Sequence, residues 1–341
     1  MNNGRQPILM SIPSTMRALQ QTSLNGPKDL RLISDAPVRT PGPGEILIRV
    51  TAAGINFLDI SQSRGTFPGG PRPPYLAGFE AAGEIVAIGE AVTGPELGSH
   101  VIGAGLGGGA FAEYMVLPAA AAVPVPAGWT NEQALGLVVN WPAALAALRP
   151  LGHIAAGQTV LIHAAAGGTG QAAVKIARHY GATVIAAASP DKHETLRALG
   201  ADHVLDSRST DLAAEVLRLT GGDGADLVLE SAGGAALDAS LVSARRVTGR
   251  VVVYGAAGGD AAITNSDLIY KHPVHVIGFN LGFLIQAAPQ IFGEVMGEIF
   301  ALIGAGVLTP SQPTVYGLAD GPKALAELEA RATVGKLALR P

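Results

Sequence analysis

Residues 159–189, TVLIHAAAGGTGQAAVKIARHYGATVIAAAS, run from a β-branched apolar segment through a glycine-rich turn and an amphipathic segment into a second apolar segment. The turn reads Ala164-x-x-Gly167-x-x-Gly170, a relaxed form of G-x-G-x-x-G with alanine at its first position. Glycines there let backbone amides approach a pyrophosphate, and a helix starting at the turn aims the positive end of its dipole at the same anion. Gly167 and Gly168, with a helix beginning near Thr169, are therefore candidate contacts to a dinucleotide. A tight turn needing glycine for a positive φ would give the same letters. Placement straight after a strand and at a helix start favours the nucleotide reading. About twenty residues on, NAD sites usually carry an acid for the ribose 2′-hydroxyl. This chain has Ser189 there, followed by Pro190, Asp191 and Lys192. A small hydroxyl and a nearby ammonium suit a 2′-phosphate, which favours NADPH over NADH. Asp191 argues the other way, and Lys192 also fits a solvated helix start.

Composition removes several other chemistries. The 341 residues contain no cysteine, which excludes disulfides, thiolate nucleophiles, Fe–S clusters and Cys-containing zinc sites. Lys plus Arg total 23 against 27 Asp plus Glu, a net charge of −4, so no general attraction to nucleic acid or anionic lipid is expected. Mean hydropathy is +0.33, and the two long uncharged stretches, 150–174 and 272–293, are interrupted by Gly, Pro, Asn and Gln. Neither reads as a membrane span. Residues 1–15 hold one Arg and too short an apolar run for a signal peptide, and read as an N-terminal extension. A cytoplasmic enzyme is the expectation.

The elements that must position these residues fall into two textures. From Met16 to about Leu117, short alternating runs such as EILIRV (45–50), AAGEIVAIG (81–89) and AEYMVLP (112–118) stand between Gly and Pro turns, the pattern of a compact β domain. Near residue 130 the texture changes, and Thr130 followed by Gln133 resembles a helix start. Six apolar runs follow, at 159–164, 182–189, 202–206, 225–231, 250–255 and 274–279, with helical segments between several of them. Strands apolar on both faces predict a parallel doubly wound sheet, hence an α/β fold. Helices are expected over 290–304 and from Asp320, then a last strand in VGKLALRP.

In this layout the chain resembles the zinc-independent quinone oxidoreductase branch of the medium-chain dehydrogenase/reductase superfamily. GINFLD (54–59), GFEAAGEIVAIG (78–89), GAFAEY (109–114), HAAAGGTG (163–170), GAD (200–202), GRVVVYG (249–255) and ARATVGKLAL (330–339) carry the resemblance, in order, over about 95% of the chain. It implies a GroES-like β domain over 16–139 and 281–341, a Rossmann NADP-binding domain over 140–280, and a nicotinamide in the cleft between them. Zinc relatives carry a Cys and a His where this chain has Asn56 and Phe79, so no metal is expected.

Carried over residue by residue, the resemblance makes Asn56 the residue beside nicotinamide and substrate, with Phe57 and Asp59 next to it. Gly167, Gly168 and Thr169 would meet the pyrophosphate, and Ser189 and Lys192 the 2′-phosphate. Ser231, Tyr254, Gly255 and Ala256 would line the adenine or ribose side, and Arg331 would reach the cofactor from the returning segment. Asp59 also fits a helix cap, and Tyr254, Tyr75 and Trp141 also fit a core. The chain departs from the family at Ser61, Phe67, Ser207 and Pro142-Ala143. Related enoyl-thioester reductases keep a proton-donating Tyr where Phe67 stands, so that reading loses its general acid. The expected activity is NADPH-dependent hydride transfer to a quinone-like acceptor, with Asn56 donating to the developing oxyanion. The alternatives are alkenal or enone reduction, and a non-catalytic NADPH-binding module. The resemblance also implies a homodimer through VHVIGF (274–279), and an apolar edge strand left bare would be an aggregation site.

Overall fold

The computed structural model describes residues 12–105, 107–209 and 211–341, so most of the expected 1–15 extension lies outside the described residues. Two compact units emerge, one of residues up to Leu135 with Pro313–Arg331 and Leu337–Pro341, the other of Gly136–Gln312 with Ala332–Lys336.

The first unit is built from β1 (Thr15–Gln21), β2 (Leu30–Pro37), β3 (Glu45–Ile55), β4 (Tyr75–Leu76), β5 (Glu80–Ile88), β6 (His100–Ala104), β7 (Tyr114–Pro118) and β8 (Val123–Pro124). Helix α1 (Phe57–Arg64) leaves the end of β3, and the short α2 (Asn131–Ala134) closes the first stretch. Antiparallel β5 and β7 both pair with β3, and β2-β1-β4 form a small separate sheet. The β-branched and apolar run EILIRVTAAGI gives β3 its buried Ile46, Leu47, Ile48 and Val50, and each large aliphatic removed from water contributes about 1.5–3 kcal/mol. At the start of α2, Thr130 Oγ1 accepts from Gln133 N at 3.2 Å and Gln133 Oε1 from Thr130 N at 2.9 Å, the box foreseen from their spacing.

The second unit carries β9 (Thr159–Ile162), β10 (Thr183–Ala188), β11 (His203–Asp206), β12 (Leu227–Glu230), β13 (Arg250–Val253) and β14 (His275–Gly278) in the order β11-β10-β9-β12-β13-β14. Every neighbouring pair is parallel. Val160, Leu161 and Ile162 are successive residues and all 0% exposed, so both faces of the sheet are covered. The covering helices are α3 (Asn140–Leu148), α4 (Gly168–His179), α5 (His193–Ala198), α6 (Leu212–Leu219) and α7 (Ala235–Ser243). Of these, α6 and α7 pack Leu212, Val216, Leu237 and Leu241 against Leu161, Val228 and Val251.

Helices α8 (Leu281–Ala287) and α9 (Pro289–Gly304) follow. Residues 281–312 were expected with the β domain, but they group with the parallel sheet. The reason is local: α9 buries Val295, Ile299 and Leu302 and packs on α3. The chain then returns to the first unit as β15 (Thr314–Gly317), α10 (Gly321–Glu329) and β16 (Leu337–Arg340), with β16 antiparallel to β3. No helix among the described residues is long and apolar enough to cross a membrane.

Helix α4 meets the turn before it backbone to backbone. A Cβ on Gly170 would lie 2.5 Å from Ala164 O and from Ala165 Cα. Replacing an ordinary helical glycine by alanine stabilises a helix by about 1 kcal/mol. Here Gly170→Ala is expected to destabilise the protein by about 1–3 kcal/mol because backbone must move. Thermal unfolding checks the sign, and a raised Tm would contradict the contact.

Candidate active site

Of the residues assigned to the nucleotide by sequence, Gly167, Gly168, Thr169, Ser189, Lys192, Ser231, Tyr254, Gly255 and Ala256 lie in the second unit, after the carboxyl ends of its parallel strands, whereas Phe57, Asp59 and Arg331 lie in the first. The strand order reverses between β9 and β12, and ligands of open α/β sheets bind outside the carboxyl ends at such a switch point. Gly167 caps α4 with φ −80° and offers no side-chain cap, so the first amides of the helix are left for an external acceptor. None of Gly167, Gly168 and Gly170 has positive φ, whereas Ala164 does, at 48°. Conformational freedom therefore does not explain these glycines. Close packing explains Gly170. A Cβ on Gly167 would meet only Ala164 O at an ordinary 3.4 Å, so protein packing does not require glycine there, and the bare backbone leaves room for close approach of a ligand. The turn fits a pyrophosphate.

At the end of β10, Ser189 and Lys192 are each only 7% exposed. Ser189 Oγ makes no hydrogen bond of ordinary length within the protein. It is nonetheless near enough to Asp191 to be the first cause holding that carboxyl below its usual range. Lys192 is the neighbouring cation, so these residues fit a 2′-phosphate.

The loops after β12 and β13 interlock. Ala257 N donates to Ser231 O at 3.3 Å and Gly234 N to Gly259 O at 2.9 Å, and a Cβ on Gly255 would lie 2.7 Å from Ser231 O. Ser231, Tyr254, Gly255 and Ala256 thus form one surface. Desolvation first, with the Glu230 carboxylate adding to it, pushes the Tyr254 phenol up to about 12. Beneath the loop lies a group that sequence reading missed. Glu230 is 0% exposed; its Oε1 accepts from Ala232 N at 2.5 Å and Gly233 N at 2.8 Å, and its Oε2 from Ser240 Oγ at 2.6 Å. His163 Nε2 lies 3.0 Å from Ser240 Oγ, and burial holds the imidazole pKa below its usual value against the opposing pull of Glu230. The available signal was an acid ending the apolar run ADLVLES.

In the first unit, Asn56 leaves β3 and caps α1. Asp59 Oδ2 accepts from Asn56 N at 2.7 Å, the helix-capping arrangement. Asn56 Nδ2 donates to Glu80 Oε2 at 2.7 Å and to Gly54 O at 3.3 Å. The amide hydrogens expected to meet an oxyanion are thus engaged by the protein itself. Glu80 is 0% exposed and was quoted in its motif without a role. Phe57, half-buried, packs on the core of this unit. Desolvation, with Asp59 adding to it, pushes the Tyr75 phenol up to about 12, while Trp141 in the second unit is buried. Arg331 is exposed and ends α10 with φ 58°. Asn56, Phe57, Asp59 and Arg331 therefore belong to one compact unit and the glycine turn to the other.

Asn56→Asp would set two buried carboxyls against each other, a charge conflict costing about 3 kcal/mol or more when both are ionised. One of them must then hold a proton above its unfolded pKa, so the folded state binds more protons. The variant is expected to be destabilised at pH 8 and to regain stability relative to the parent as pH falls through that raised pKa. Denaturant titrations at a series of pH values read this, and a pH-independent difference would contradict the Asn56–Glu80 bond.

Residues 42–127 match the alcohol dehydrogenase GroES-like domain family, and residues 168–298 the zinc-binding dehydrogenase family. The donors do not fit zinc: Asn56 bonds to Glu80, the chain lacks cysteine, and no cluster of three His, Asp or Glu stands among the described residues. A quinone oxidoreductase of Pseudomonas syringae pv. Tomato DC3000 is 32% identical with a TM-score of 0.89, covering 96% of this chain and 100% of that one. An Escherichia coli quinone oxidoreductase solved with NADPH is 29% identical with a TM-score of 0.89, covering 95% of this chain and 100% of that one. A pikromycin polyketide synthase component of Streptomyces venezuelae is 35% identical over 331 residues, 96% of this chain but only 8% of that protein's length. Full-length likeness at this identity, with both domain types in order, settles the lineage: the chain belongs to the medium-chain dehydrogenase/reductase superfamily, in its zinc-independent, quinone-oxidoreductase-like branch.

Proposed function

We propose that the chain is an NADPH-dependent reductase that delivers hydride to a quinone-like acceptor without a metal. The observation that carries the cofactor half is the uncapped α4 terminus behind Gly167, with Ser189 and Lys192 at the end of β10. The relative of Escherichia coli was solved with NADPH, which supports the same reading. NADPH, when bound, supplies the hydride, and the acceptor takes its balancing proton from water. The chain's work is placement. Asn56 stands at the acceptor as a polar side chain locked by Glu80, and it becomes a donor only by exchanging its longer bond, the 3.3 Å contact to Gly54 O. A quinone suits that modest help because its developing charge is delocalised.

Phe67 supports a quinone over an enoyl thioester, since it has no hydroxyl to protonate a carbanion. Reduction of an alkenal or conjugated enone is the second reading, because it uses the same cofactor and the same hydride chemistry. Stopped-flow oxidation of NADPH against a quinone panel and an enone panel decides between them. Turnover with quinones is expected, turnover of enones alone would transfer the assignment, and tight binding with no turnover would favour a non-catalytic module.

We also propose a homodimer. β14 ends the parallel sheet as an edge strand, and Tyr270 and Phe283 nearby in sequence are 76% and 69% exposed. A second copy pairing there would remove the edge. Light scattering should give twice the 34.5 kDa chain mass, and a monomer at micromolar concentration would contradict it.

A further inference from the structure

A chain of polar side chains leads into the start of α4. Lys336 is 6% exposed, and its Nζ donates to Asn140 Oδ1 at 2.8 Å. Asn140 Nδ2 donates in turn to Thr169 Oγ1 at 3.1 Å. An ammonium has only donors, so it fixes which way the Asn140 amide faces: oxygen toward Lys336, NH2 toward Thr169. With a lone pair of Oγ1 taken by that NH2, the Thr169 hydroxyl hydrogen is turned away from Asn140. Among the described residues it is donated to no protein acceptor. Thr169 is the second residue of α4, beside the first amides of the helix.

The same segment that brings Lys336 also braces the turn. Gly335 N donates to Ala166 O at 2.8 Å, and Gly335 forms a parallel bridge with Gly167. Ala332–Lys336 group with the parallel-sheet unit although the strand that follows does not. A Cβ on Gly168 would lie 3.2 Å from Asn140 Oδ1, so Asn140 sits directly over the turn.

We infer that Lys336, Asn140 and Thr169 form a relay that aims the Thr169 hydroxyl at the pyrophosphate of the bound dinucleotide. The inference rests on the cofactor reading above and adds positioning roles for two residues, Asn140 and Lys336, outside the glycine motif. Each link polarises the next, so the terminal hydroxyl is a better donor to an anion than an isolated threonine would be. Asn140 and Lys336 act through Thr169, the one member of the three that touches the phosphate, beside the backbone amides of the turn.

Calorimetric titration of the full chain with NADPH, and with 2′-AMP as a ligand that lacks the pyrophosphate, tests this. Thr169→Val and Asn140→Leu are each expected to weaken NADPH binding about tenfold, the scale of one hydrogen bond to a charged group. Combined, they should weaken it no more than either alone, because an unaimed hydroxyl contributes little. Thr169→Ser should restore binding to near the parent, and 2′-AMP should bind all variants within about twofold of the parent. A merely structural role would lower Tm without this pattern. Unchanged NADPH affinity in the two single variants, losses that multiply in the double variant, or an equal loss for 2′-AMP would overturn the relay while leaving the cofactor reading standing. Failure of the parent chain to bind NADPH would overturn both.

Discussion

The parallel-sheet unit depends on a close approach of backbone to backbone where α4 leaves the turn after β9. Gly170 lies so near Ala164 and Ala165 that no side chain fits, and that contact fixes the direction of α4. The dipole and first amides of the helix then face outward from the sheet's carboxyl edge rather than into a side-chain cap. The fit of this place to an anion is a consequence of how the helix is seated. The nearby Ala164, with φ 48°, holds a conformation that costs about 1 kcal/mol or more for a residue with a Cβ. Strain of that kind persists where surrounding structure over-determines it, and here the packed helix does so.

Each unit has a buried carboxyl group that acts as a post for its own loops. Glu230 gathers two loop amides and a serine hydroxyl, so the turn after β12 is held from within the protein and its outward face remains for a ligand. Glu80 does the same for Asn56. A carboxylate with no exposed surface is tolerated only when donors surround it. Both acids therefore depend on local order, because their buried oxygens need the surrounding donors in place. In each case the residue expected to face a ligand is held by one that does not.

The returning C-terminal segment carries a similar lesson about connectivity. Within a few residues the chain leaves Arg331 at the end of α10, braces the glycine turn with Gly335 and Lys336, and enters β16 beside β3. A motif that looked like the opening of a last strand therefore also braces the glycine turn. Its glycine, with φ 70°, is required by the turn that redirects the chain.

Much was legible in the letters because it depends on short-range pattern. The six parallel strands, α4, the Thr130–Gln133 cap and the position of the glycine turn follow from β-branched runs, helical spacing and turn residues, which are local properties. The absence of cysteine and the Asn56 and Phe79 substitutions removed the zinc chemistry of the wider superfamily before any coordinate was needed. Tertiary structure alone decided where long-range partners fall. It gave residues 281–312 to the parallel-sheet unit through the buried face of α9, and it paired Asn56 with Glu80, 24 positions away. It also brought Lys336 to Asn140 across 196 positions. No periodicity encodes such pairs, because their partners are chosen by the packing of whole elements and by the need of buried polar groups to find one another.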